Sequence, residues 1–179
     1  MKVNRAYGGV TLCASLITGS CVTISNFERM QRQFSFDNEY MDYKFTDIHQ
    51  KEIGDDPAQF GYPDDGNGRY MQGKSYADWY YVNVAKRVHS NDLEHITVMI
   101  PLSLFTGLFL PYQTTGLLAT YFVGRQLYTN GYFKREGAMD KQRMVGSMLC
   151  NIGHVGIIGM TLYVAFGLRR GKLVIPKTF

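Results

Sequence analysis

Arg87, Asn91 and Glu94 follow one another at intervals of four and three residues, so a helix would carry a guanidinium, a carboxamide and a carboxylate on one face. A second set, Tyr121, Arg125, Tyr128 and Tyr132, repeats at four, three and four and also shares one helical face. These groups divide the work of binding a small zwitterionic or anionic molecule. A guanidinium presents a fork of donors to a carboxylate, a carboxylate receives an ammonium, a carboxamide pairs with a peptide edge, and phenols donate while their rings form a wall.

The elements that must position them are apolar. Hydrophobic residues make up 45% of the 179-residue chain and charged residues 19%. Two runs carry no charge at all, Ile96 to Gly124 over 29 residues and Met144 to Leu168 over 25, with His154 neutral. At about 1.5 Å per helical residue, either run exceeds the ~30 Å of bilayer hydrocarbon. Two such runs in a short chain argue for membrane insertion rather than a buried soluble helix. The polar stripes then sit at the edge of lipid, where a rival reading makes Arg87 and Glu94 an interfacial ion pair and the tyrosines an aromatic belt.

The net charge of +4 does not indicate nucleic acid. Its basic residues flank apolar segments: Lys134, Arg135, Lys141 and Arg143 before the last, Arg169, Arg170 and Lys172 after it, as at lipid headgroups. The polar stretch from Phe27 to Asp78 holds eleven acidic and six basic residues and would repel phosphate. Cys13, Cys21 and Cys150 fall inside apolar segments at no zinc or redox spacing, and read as small core residues. His89 and His95 lie six apart on different helix faces, which opposes a metal role, and His154 reads as a hydrogen-bonded interior residue.

Along the chain, residues 6–27 are apolar but softened by Thr, Ser and Gly, and follow the basic Lys2 and Arg5. A signal peptide has this form, but we read the segment as a retained first helix. A long polar loop follows, with turn signals in "GDDP" and "GYPDDGNG". The uncharged run from Ile96 is too long for one span, and "PYQTTG" at 111–116 supplies a hairpin. The expectation is an all-α integral membrane four-helix bundle, up-down-up-down, forming one domain over 1–179, with helices at about 6–27, 80–110, 115–133 and 144–168.

The motifs themselves carry a resemblance. "RVHSNDLEH" before an apolar helix, followed by "FVGRQLYTNGY", resembles the MAPEG family, the membrane-associated proteins of eicosanoid and glutathione metabolism. Its R-x-x-x-N-x-x-E signature is present as Arg87, Asn91 and Glu94, and its R-x-x-Y-x-x-x-Y as Arg125, Tyr128 and Tyr132. The likeness extends to "YGGVTLCASLITG" and "GRQLYTNGYFKREGAMDKQRMVGS", is greatest to the type-3 microsomal glutathione transferase, and leaves out about 44–76 as a polar insertion.

The resemblance implies glutathione bound between subunits of a homotrimer, with its thiol activated as a thiolate. Arg87, Asn91, Glu94, Arg125, Tyr128 and Tyr132 would hold the tripeptide. A thiol of pKa about 8.5 is mostly protonated at neutral pH, and a nearby guanidinium favours its nucleophilic anion. Some members use an arginine near the start of helix four, for which Arg143 is the best-placed equivalent and Lys141 competes. Leukotriene-forming members carry tyrosine after the signature glutamate, whereas this chain has His95, which disfavours that activity.

Two functions follow. One is a transferase or peroxidase that delivers glutathione to a lipophilic electrophile or lipid hydroperoxide, in the membrane of the endoplasmic reticulum or mitochondrion and without a metal. The other is a non-catalytic accessory subunit that keeps the fold within a larger membrane assembly, such as a mitochondrial respiratory complex; the long acidic segment motivates it.

Overall fold

The structure, a computed structural model, describes residues 5–173. Among them are five α-helices and no strand: α1 Tyr7–Ser35, α2 Asn38–Glu52, α3 Tyr76–Gly107, α4 Pro111–Tyr132 and α5 Lys141–Arg169. Short 3-10 turns occupy Gln59–Gly61, Met71–Gly73 and Gly137–Met139. The described residues divide into two compact units, one formed by 5–21 and 91–173 and the other by 22–90.

The first unit centres on Val10 and Ile17 of α1, Met99 of α3, Leu118 and Tyr121 of α4, and Cys150 and Ile157 of α5. Of the helices described, α1 and α5 are long and apolar enough to cross a membrane, and only 22% of each apolar window is buried. A soluble core helix would bury that surface; here Leu12, Leu16, Met148, Ile152 and Val155 face outward, as lipid contact requires. Helices α3 and α4 fall short because the uncharged run is folded in two. Its turn occupies residues 108–110, not 111–116, and Pro111 stands in the first turn of α4, where its missing N–H costs nothing. The remaining apolar pieces, 96–107 and 111–124, are each shorter than the ~20 residues a span needs. Any span through α3 or α4 must therefore include polar side chains.

The second unit differs from the expected loop. After Phe27 the sequence "ERMQRQFS" contains no Gly or Pro and extends α1 to Ser35. Asp37 then caps α2, its carboxylate accepting from the Tyr40 N–H at 2.8 Å. That helix stops at Gly54, whose φ of +90° suits glycine and whose N–H donates to the Gln50 carbonyl. Phe36, Met41, Met71 and Val82 form a small core, with Tyr40, Phe45 and Tyr70 packed against it.

Turn-forming residues beyond α2 are organised around one buried carboxylate. Asp64 accepts from the backbone N–H groups of Gly66 at 2.9 Å, Gly68 at 2.8 Å, Tyr70 at 2.7 Å and Met71 at 3.2 Å. Trp79 of α3 donates its indole N–H to Asn67 at 3.1 Å, and Asn83 donates to the Gly66 carbonyl at 2.9 Å. Lys86 hydrogen-bonds Asp65, and that contact holds the Asp65 carboxyl below the usual carboxylate range. Asp64→Ala would leave several buried donors unmatched, a loss on the order of 3 kcal/mol. Trp79, the one tryptophan of the chain, reports it directly. The expected outcome is a red-shifted emission and an earlier unfolding transition; unchanged fluorescence and an unchanged transition would show that the loop is held by other contacts.

Candidate functional site

The site is built on the polar flank of α3, on α4 and on the start of α5. Arg125 is the largest fully buried side chain, 2% exposed, and its environment is ionic. Its Nε lies 3.0 Å from the Asp92 carboxylate, and its Nη1 donates to the Asn91 carboxamide oxygen at 2.7 Å. The guanidinium also stands 4.8 Å from the centre of the Tyr128 ring. Placing a lone charge here would be costly, and Asp92, itself fully buried, supplies the counter-charge.

Tyr128 and Tyr132 lie one turn apart on α4 with ring centres separated by 5.6 Å. Arg143 reaches over both, 5.6 Å from the first ring and 5.9 Å from the second, and its buried Nε has no hydrogen-bond partner among the described residues. It sits in the first turn of α5, which has no acidic residue, behind Asp140 as N-cap; the Asp140 carboxylate accepts from Gln142 N–H at 2.8 Å and Arg143 N–H at 3.3 Å. A cation at a helix N-terminus opposes the macrodipole, so local stability does not explain it. With the helix terminus already capped by Asp140, the Arg143 guanidinium is the charge that favours an anion beside the two phenols.

Backbone packing makes this approach close. A Cβ at Gly131 would stand 2.3 Å from the Arg143 nitrogen, and one at Gly146 2.3 Å from the Tyr128 nitrogen. Glycine at both positions lets α4 and α5 touch, which brings Arg143 onto the tyrosines.

The structure therefore gathers Asn91, Arg125, Tyr128, Tyr132 and Arg143 in the first unit. Glu94, also in that unit, is exposed, and Arg87, in the other unit, is exposed one turn before Asn91 on α3. Lys141 is exposed as well, whereas Arg143 meets the rings. Tyr121 belongs to the core instead, its hydroxyl buried without a hydrogen-bond partner among the described residues. His95 and His154 meet edge to face with ring centres 5.0 Å apart, and His89 pairs with Glu28 of α1 in the second unit.

Asp92 is the residue that motif reading passes over, because it lies between the signature Asn91 and Glu94. A signal for it was present. An acid flanking an apolar span demands a base, and α4 offers only Arg125.

The all-helical described residues, with two long apolar helices whose side chains face outward, place the chain among helical membrane proteins. A profile of the MAPEG family matches residues 54–163, well over half of the chain, and the chain is a member of that family. No curated protein and no solved structure matches it. The matched region includes all of α3 and α4 and most of α5, and begins inside the 44–76 segment that the motif likeness leaves out. MAPEG proteins are membrane proteins that generally use glutathione.

Proposed function

We propose that this protein is a glutathione transferase or peroxidase of the MAPEG family that acts on lipophilic electrophiles or lipid hydroperoxides, similar to the type-3 microsomal enzyme. The observation that carries the reading is the meeting of Arg143 with the rings of Tyr128 and Tyr132 inside the family-matched region. In this reading α1, α3, α4 and α5 form an up-down-up-down membrane bundle in the endoplasmic reticulum or mitochondrion, and the chain assembles as a homotrimer. Arg87, Asn91, Glu94, Arg125, Tyr128 and Tyr132 hold the tripeptide, while Arg143 stabilises its thiolate for attack on an acceptor that arrives from the bilayer. The exposure of Arg87 and Glu94 in a single chain suits side chains that meet their ligand at a subunit boundary.

Glutathione binding by calorimetry on protein in detergent tests this. Arg87→Ala and Glu94→Gln should each weaken affinity by about tenfold or more, as expected for charge-assisted hydrogen bonds of roughly 1.5–3 kcal/mol. Affinity that survives both substitutions removes the proposed site. Turnover by the purified chain alone separates the enzyme from a non-catalytic accessory subunit.

A further inference from the structure

Resting on that reading, we infer that Asp92 is a positioning residue that sets the charge of the glutathione site by neutralising Arg125. Two guanidinium groups share the Tyr128 ring, Arg125 at 4.8 Å from its centre and Arg143 at 5.6 Å. Only one of them has a buried carboxylate in contact: Asp92, on the α3 face opposite α4, lies 3.0 Å from Arg125 Nε and is fully buried. The groups around the pair come from every neighbouring helix: Cys21 of α1, His95 of α3, Tyr121 of α4 and Cys150 of α5. The Arg125–Asp92 pair carries no net charge, whereas the Arg143 guanidinium beside the same ring has no carboxylate in contact among the described residues.

The division has a chemical purpose. Two bare cations would hold the thiolate so firmly that its nucleophilicity would fall along with its basicity. With Asp92 in place, Arg125 orients Asn91 through the 2.7 Å hydrogen bond and braces Tyr128 without adding net charge. The acid is thus a control on thiol ionisation as well as a structural partner.

The test uses the full chain in detergent, glutathione as probe, and ultraviolet thiolate absorbance followed against pH. Asp92→Asn keeps the side-chain shape and unmasks Arg125, so the ionisation midpoint of bound glutathione should fall by on the order of one pH unit. The double variant Asp92→Asn/Arg125→Gln restores a neutral pair and should return the midpoint to that of the natural sequence. A purely structural role would weaken binding without this shift and return. The inference is overturned by a folded Asp92→Asn protein whose midpoint is unmoved or raised, or by a double variant that titrates like the single one. Should Asp92→Asn not fold, Arg125→Gln alone must raise the midpoint, because it leaves a bare carboxylate near the thiol; an unmoved value there overturns the inference equally. Failure of the natural sequence to bind glutathione removes the functional reading and this inference together, whereas binding with unshifted midpoints removes this inference alone.

Discussion

Gly146→Ala should disable the protein, through the backbone and not through any lost chemical group. An added methyl would stand 2.3 Å from the Tyr128 nitrogen, 2.6 Å from the Gly124 carbonyl oxygen and 2.8 Å from the Tyr128 Cα. All three are main-chain atoms, so no rotamer change relieves the clash. The opposing side is equally tight, since a Cβ at Gly124 would meet the Cys150 nitrogen at 2.8 Å. The helices must separate, at a cost on the order of 3 kcal/mol or more, and their separation draws Arg143 off the tyrosine rings. We expect a large fall in thermal stability together with glutathione affinity reduced at least about tenfold. Gly159→Ala is the matched control: it lies on the same helix, a Cβ there meets nothing within 4 Å, and alanine favours the helix. If both variants melt alike in the same detergent, the crossing is looser than these distances imply.

Helical periodicity and charge make part of this architecture legible in the sequence. The uncharged run from Met144 to Leu168 announced an apolar, outward-facing helix, whereas the run from Ile96 to Gly124 is divided between α3 and α4, and the four-three-four spacing of Tyr121, Arg125, Tyr128 and Tyr132 announced a shared face on α4. Periodicity could not say which members of that face turn inward. Tyr121 went to the core with Leu118 while Tyr128 and Tyr132 met Arg143, a division set by where α5 crosses, which depends on glycines far away in sequence. The helix α2 escaped notice for another reason. Its polar composition gives no apolar run, and it is held by a local cap at Asp37 and a small core around Phe36 and Met41. The Asp64 loop was legible as turns but not as order, because a carboxylate that gathers four backbone N–H groups leaves no periodic trace. Asp92 was not legible as a site residue because the ion pair to Arg125 needs the fold of the α3–α4 hairpin to bring residues 33 apart in sequence into contact.

Arg143 carries the second large effect, and its signature lies in pH. Its guanidinium faces two phenol rings beside a helix terminus already capped by Asp140, so an anion placed there gains chiefly from the side chain's charge. In Arg143→Gln a polar side chain remains but the unit charge is gone. If Arg143 acts on the thiol as proposed, turnover at neutral pH should fall by about a hundredfold, the scale associated with loss of one preorganised electrostatic group, while the Michaelis constant for glutathione changes only a few-fold. The sign of the pH effect follows from the acid being the thiol. A cation stabilises thiolate and lowers its pKa; without it the midpoint rises toward the free value of about 8.5, so the variant should regain rate as pH increases whereas the natural sequence is already on its plateau. Arg143→Lys keeps the charge and should retain part of the activity, and Lys141→Gln, at an exposed position two residues earlier, should leave the profile in place. A variant that loses activity equally at every pH would assign Arg143 to helix packing, for in that case nothing about thiol ionisation would have depended on its charge.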